Sequence, residues 1–286
     1  FAGVNNYESF TTKKRNTLSQ FFKKFDLDLN LENFQTSNLN MFIKKASKET
    51  YLSVFEQYIT KNKSLRPANF SQLENKIVLD LDHENFTFDG GLIAYDNLGV
   101  EKKSDRYQYV LPYYSFNKDI SQNYFNGNIN FGSSGSNVLS DTNKLQTRVI
   151  NNLTYNSLDF ISNLGFKNNF GINLKNLNSI GKKSSKYKSS AQSELISLYN
   201  FDVSLPLIRE NEKSQNLLTP KISFRFNPSD MKNYSTGSSN IDANNAFTIN
   251  RLGLSDSYES GRSLTLGLDF NIERFKFEQD QDENLT

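Results

Sequence analysis

The 286-residue chain has no cysteine and no tryptophan, two methionines, five prolines and one histidine, His83. Without cysteine it carries no disulfide and no thiolate metal site, and redox chemistry fixes no compartment. A lone histidine without cysteine leaves no basis for a transition-metal cluster, so no metal or cofactor is expected. A serine triad would have to use His83, yet no Gly-x-Ser-x-Gly elbow occurs. Flanked by Asp82 and Glu84, His83 reads as an exposed residue at a strand end. No run of 18 apolar residues is found, which excludes a transmembrane helix but not a membrane-spanning strand. A net charge of +2 gives no field for nucleic acid. The cluster Lys182, Lys183, Lys186 and Lys188 lies in a serine-rich stretch that reads as a solvated loop. Together these absences point away from an enzyme.

What the chain does have is alternation. Leu264, Leu266, Leu268, Phe270 and Ile272 are separated by Thr265, Gly267, Asp269 and Asn271. Successive side chains of a strand point to opposite faces, so this is a strand with one apolar and one polar face. Leu164, Phe166, Phe170, Ile172 and Leu174 repeat the pattern, as do Tyr199, Phe201, Val203 and Leu205, and Phe25, Leu27, Leu29 and Leu31. The hydrophobic fraction of 36 % is low and the aromatic fraction of 13 % generous, which suits strands with long polar loops.

Strand candidates recur from end to end, about a dozen to sixteen of them. They include Thr50–Ile59, Asp159–Phe166 and Ala246–Asn250, the first of which also has Tyr51, Val54, Phe55 and Tyr58 at helical spacing. Turn signals fall at Asp89-Gly90-Gly91, Asn126-Gly127, Gly132–Ser136, Ser179–Ser190 and Asn227–Asn245. The fold class is therefore all-β. A soluble sandwich would bury the apolar faces over short strands; a membrane barrel would turn them to lipid over strands of about 9 to 11 residues. The longer alternations here, with Lys167, Lys175, Arg225 and Asp269 on their polar faces, favour the barrel, and the sandwich stays open. The chain opens on Phe1 and closes on an acidic stretch, Glu278–Glu283, as a piece of a longer protein would.

Several phrases, in order, resemble the barrel region of the lipopolysaccharide-assembly outer-membrane protein family (LptD, also called OstA). Thr50-Tyr51-Leu52 is similar to a threonine-aromatic-leucine phrase, although Ser53, Val54 and Phe55 stand where the family has two arginines and a tyrosine. Tyr109–Phe116, with Leu111-Pro112, resembles the family's leucine-proline strand opening; Ser204–Ile208, with Pro206, and Leu217–Ile222, with Pro220 and then Pro228, resemble its later proline strands. Asn250-Arg251 leads to Asp256, Glu259 and Gly261 at the family's offsets, with Gly253 one place early and Ser257 replacing a basic residue. The resemblance covers residues 15 to 275.

It implies a large antiparallel up-and-down outer-membrane β-barrel, of which residues 1–286 form a single, incomplete portion. It implies a Gram-negative cell outer membrane, insertion of lipopolysaccharide into the outer leaflet, an outer-membrane lipoprotein plug, periplasmic bridge proteins and contact with membrane lipid. It also implies structural roles for the matched residues. Proline donates no hydrogen to a ladder, so Pro112, Pro206, Pro220 and Pro228 are expected at strand starts, bends or edges. Gly261 is expected to supply a backbone conformation or close approach. Arg251, Asp256, Glu259 and Arg262 surround one reversal; the residues alone suit a solvated loop, and the resemblance turns them into an ion-pair network facing a lumen. A porin, receptor or adhesin barrel and a soluble β-rich binding protein are the alternatives. A pore would show an inward-folded loop with clustered charges, which the sequence does not single out. Detergent dependence separates the classes: the barrel readings expect aggregation in plain buffer, and a monodisperse monomer by light scattering without detergent would rule them out.

Overall fold

The computed structural model describes residues 2–8, 15–47, 49–100, 105–122, 126–141, 143–211, 214–230 and 240–274. The acidic stretch Glu278–Glu283 and the ends of two expected strands, Tyr124 and Phe275, lie outside them. The strands are β1 (Ala2–Glu8), β2 (Arg15–Asp28), β3 (Phe34–Ala46), β4 (Gln72–His83), β5 (Phe86–Asn97), β6 (Tyr107–Gln122) and β7 (Gly127–Ser140). After them come β8 (Lys144–Ser157), β9 (Phe160–Ile161), β10 (Lys167–Lys182), β11 (Gln192–Ser204), β12 (Leu207–Asn211), β13 (Ser214–Asn227) and β14 (Gly261–Arg274). They hydrogen-bond in chain order, with β9 beside β10 and with β13 paired to β11, β12 and β14. This is an up-and-down meander, and most of its strands are long enough to cross a bilayer. Among the described residues β1 pairs only β2 and β14 only β13. No described helix is long and apolar enough to cross a membrane, which says nothing of strands. The chain divides into two compact units: Phe1–Ile120, Asn130–Leu153 and Lys175–Leu195; and Ser121–Ile129, Thr154–Leu174 and Ile196–Thr286.

In the first unit the register sorts side chains cleanly. Asp80 lies opposite Asp89, while Leu81 lies opposite Phe88 and Phe88 opposite Phe116. An aromatic row crosses the apolar face: Phe34 and Phe86 flank His83 at 5.1 and 4.9 Å, Phe86 meets Phe116 at 5.7 Å, and Phe116 meets Phe131 at 6.3 Å. His83 does end β4, but it is half-buried within this row rather than exposed. Gly90 and Gly91, read from sequence as a turn, lie inside β5. The register of β5 on β6 slips there, so that Leu92 opposes both Leu111 and Pro112 across a bulge. Gly132–Ser136 likewise runs through β7. Glycine and serine punctuate loops in water; here they sit mid-strand, where a small side chain admits a neighbour.

The expected strand Thr50–Ile59 is instead a helix, α1 (Glu49–Val54), followed by a 3₁₀ turn, Glu56–Tyr58. Pairing of β3 with β4 stops at Phe42 and Lys76, and the Asn75 side chain accepts the Lys44 N–H at 2.7 Å. With no strand beside it, the segment gains more by burying Tyr51, Leu52 and Ile59 against Phe22, Ala46 and Leu73. Tertiary burial overrides strand propensity.

In the second unit β11 and β12 are one strand in a single register on β13: Ser204 opposes Lys221 and Leu207 opposes Leu218. The break is chemical. Leu205 N–H donates to the Pro220 carbonyl at 3.0 Å, and the reciprocal bond is missing because Pro220 has no N–H. Two other expected strands shrink. Asp159–Phe166 keeps only β9, and Ala246–Asn250 forms turns, with Ala246 N–H bonded to the Asp242 carbonyl. Its five residues have no strand edge to join.

The exposed row of β13, Ile222 and Phe224, is expected to face hydrocarbon. Phe224→Arg should destabilise the folded protein in bilayers by about 2–4 kcal/mol. Thr219→Arg, on the polar face opposite Asp269, should stay within about 0.5 kcal/mol. Urea titration in lipid vesicles measures both.

Candidate functional site

Burial along the strands is the reverse of a soluble protein. In the second unit Ser223, Arg225 and Asn227 are 2, 4 and 2 % exposed, while Ile222 and Phe224 between them are each 45 % exposed. In the first unit the buried row of β10 is Lys175, Leu177 and Ser179, and Ile180 is exposed. Polar rows are enclosed and apolar rows are open. Leu266, Phe170 and Phe201, which a sandwich would seal, are all exposed.

In the second unit the enclosed face carries three aligned polar rows: Asn200, Asp202 and Ser204 on β11, Lys221 to Asn227 on β13, and Ser263 to Asp269 on β14. Residues 240–260 of the β13–β14 connection lie across these rows. Arg225 donates Nη2 to the Ile249 carbonyl, and its Nη1 has no hydrogen-bond partner. Asn227 Nδ2 donates to the Tyr258 and Glu259 carbonyls at 3.3 and 3.1 Å. Tyr258 and Ile249 pack on Ile196 and Leu198 of β11. Phe247 sits under the Lys221 ammonium, 4.3 Å from its ring centre, and fills the place where a Gly267 side chain would be, 2.6 Å from a built Cβ. The glycine in the β14 alternation is therefore a seat for Phe247.

The arginine phrase is the clasp of this segment. Arg251 holds Glu259 through two hydrogen bonds of 2.5 and 2.6 Å and reaches Thr265 Oγ1 at 3.3 Å. Asn250 closes a small ring on Leu254, accepting its N–H at 2.9 Å and donating to its carbonyl at 2.8 Å. Asp256 is buried and accepts from Ser255 Oγ at 2.9 Å. Gly261 has φ of +90° with nothing within 4 Å of a built Cβ, so conformation alone calls for glycine there. Arg262 points along the other face, over the Phe226 ring at 5.5 Å. Pro112 sits at the β6 bulge, Pro206 at the β11–β12 interruption, Pro220 inside β13 beside it, and Pro228 directly after β13. The sequence did not single out an inward-lying loop with clustered charge; residues 240–260 are one, and the only sequence signal was the charge spacing from Arg251 to Glu259.

Next to this segment a cleft of about 230 Å³ is lined by Asp159, Lys167, Asn169, Asp202, Lys221 and Phe247 among others. Lys167 pairs with Asp159 at 2.8 Å and Lys221 with Asp269 at 2.7 Å. The lining of the cleft thus combines charges of both signs, an amide and one ring. Among the described residues no three histidine, aspartate or glutamate side chains converge as metal ligands. In the first unit the corresponding polar row of β3–β6 includes Asn40, Asp80, Asp89 and Tyr113, with Asn40 Nδ2 donating to Asp80 at 3.2 Å.

The family model described as LptD, LPS transport system D, matches residues 19–285. No curated protein matches the chain.

The Arg251 pair has a pH signature. Hydrogen bonds and charge from Arg251 hold the Glu259 carboxyl below its ordinary value, with burial opposing. A depressed folded value means that the pair stabilises above the unfolded value, about 4.3, and that this is lost as pH falls through the folded value. Glu259→Gln should cost about 2 kcal/mol at pH 7. The gap between its unfolding curve and that of the unmodified protein should begin to narrow as pH falls below about 4.3. Curves separated equally at pH 7 and pH 3 would count against the pair.

Proposed function

The chain belongs to the LptD family, the LPS transport system D, and from that premise we propose that residues 1–286 form one incomplete portion of the outer-membrane barrel that inserts lipopolysaccharide into the outer leaflet. The observation that carries the reading is the inverted burial: the enclosed rows offer hydroxyls, amides and charges, and the open rows offer leucine, isoleucine and phenylalanine. A phosphorylated glycolipid has the same two halves. Its sugars and phosphates would travel along the polar face while its acyl chains stay in hydrocarbon, so no step requires covalent chemistry. The wall guides; the energy is supplied elsewhere in the transport system. The cell outer membrane of a Gram-negative bacterium is the setting this reading requires. An outer-membrane lipoprotein plug and periplasmic bridge proteins are its expected partners. Within the first unit the long connection 49–71 belongs on the external rim and the short turn at 84–85 on the periplasmic one, as in barrels generally.

One observation favours a second reading, a size-selective pore: residues 240–260 lie on the polar face with paired charges. Substrate separates the two. Photoreactive residues at Asp202 and Ser204, in the complete protein in its membrane, should form glycolipid adducts that disappear when lipopolysaccharide synthesis is stopped. Adducts that persist after synthesis stops, or none at either position while delivery runs, would overturn the transport path drawn here.

A further inference from the structure

One patch of the open face breaks the apolar rule, and it lies wholly within the first unit. Tyr114 Oη and Ser133 Oγ are 3.2 Å apart, Ser133 donates to Asn151 Oδ1 at 2.8 Å, and Asn151 donates to Asn176 Oδ1 at 3.3 Å. Asn176 in turn donates to Ser193 Oγ at 3.2 Å. This chain of side chains crosses β6, β7, β8, β10 and β11. Its face follows from alternation. Asn176 and Asn178 keep step with exposed Ile180, and buried Lys175, Leu177 and Ser179 fall between them. Asn151 keeps step with Leu153, 40 % exposed, while neighbouring Ile150 is 5 % exposed. A built Cβ at Gly135 would meet the Tyr114 ring at 2.4 Å, so that ring lies flat over β7 on the same side.

The members of the row bond one another, but hydroxyls and amides can make more bonds than these and hydrocarbon supplies none, so a polar ligand group seated beside the row is favoured. Beside the row a cleft of about 280 Å³ is lined by Thr147, Val149, Asn178, Ile180, Gln192 and Ser193, polar and apolar together. Lys182 ends β10, the connection after it carries Lys183, Lys186 and Lys188, and a bond from Gly181 N–H to the Lys188 carbonyl closes the reversal. Hydroxyls and amides that both donate and accept suit sugar, ammonium groups suit phosphate, and Val149 and Ile180 suit an acyl chain.

We propose that this outward patch is a binding site for a phosphorylated glycolipid of the outer leaflet, with its phosphate at the lysine-rich connection and its sugar on the asparagine–serine row. The inference rests on the membrane orientation proposed above, and it is separate from the polar face on the opposite side of the strands. A glycerophospholipid offers phosphate without the sugar hydroxyls that the row would bind.

The test uses the complete protein in its native membrane, with a photoreactive residue at Asn178 or, as a control on the plain apolar wall, at Leu92. Glycolipid adducts should be at least fivefold more frequent at Asn178. Lys182→Glu with Lys183→Glu should cut the Asn178 adduct at least fivefold without lowering the amount of folded protein. Equal adducts at Asn178 and Leu92, a glycerophospholipid or protein adduct at Asn178, or indifference to the lysine reversals would each overturn the site. Surface delivery of lipopolysaccharide, measured in the same cells, keeps the two claims apart. Lost Asn178 adducts with intact delivery defeat only this site, and retained Asn178 adducts without adducts at Asp202 or Ser204 defeat only the transport path.

Discussion

The structure depends on the reversed sign of solvation across its strands. In water, the exposed rows of Phe224, Leu266 and Phe270 would drive association at roughly 25 cal/mol for every Å² hidden. In hydrocarbon the same rows are neutral, and the polar rows on the other side become the ones that need company. The polar faces accordingly carry paired groups. Lys221 finds Asp269, Lys167 finds Asp159, and Arg225 and Asn227 spend donors on the carbonyls of residues 249, 258 and 259. Ordinary exposed ion pairs add little. Lys167 with Asp159 and Lys221 with Asp269 are of this open kind, so they set the chemistry of the polar face rather than its stability.

The strand alternation was legible in the body of β10, β11 and β14, where the apolar positions repeat it for many residues and period two admits no other regular structure, but not at its ends, where Leu29, Leu31, Leu164, Phe166 and Leu205 fall outside the strands. The family was legible too, through the proline phrases and the Arg251-to-Glu259 spacing, and the profile match covers nearly the same span. What sequence alone could not give was tertiary. Thr50–Ile59 has strand-forming residues and becomes helical because the splayed ends of β3 and β4 leave a hydrophobic hollow and no pairing edge. Gly90, Gly91 and Gly135 read as loop signals, yet they lie in strands where a bulge and tight side-chain stacking ask for small residues.

The site divides in the same way. That Arg251 and Glu259 meet was readable from spacing; that they pin residues 240–260 across the polar rows was not, since Ile249, Phe247 and Tyr258 carry no local sign of what they will touch. Phe247 is seated by Gly267, twenty residues later and on another element. Arg262 has the opposite outcome. It is close in sequence to the clasp, but strand parity sends it to the other face, over Phe226.

The ring row from Phe34 through His83, Phe86 and Phe116 to Phe131 has a mechanical consequence. Aromatic rings prefer the boundary between headgroups and hydrocarbon, and these meet in edge-on, stacked and tilted contacts across five consecutive strands. The backbone ladders fix the register of these strands, so a bilayer that thins or thickens moves the ring row as one body and the panel tilts as a whole. The waterline of this wall is set collectively.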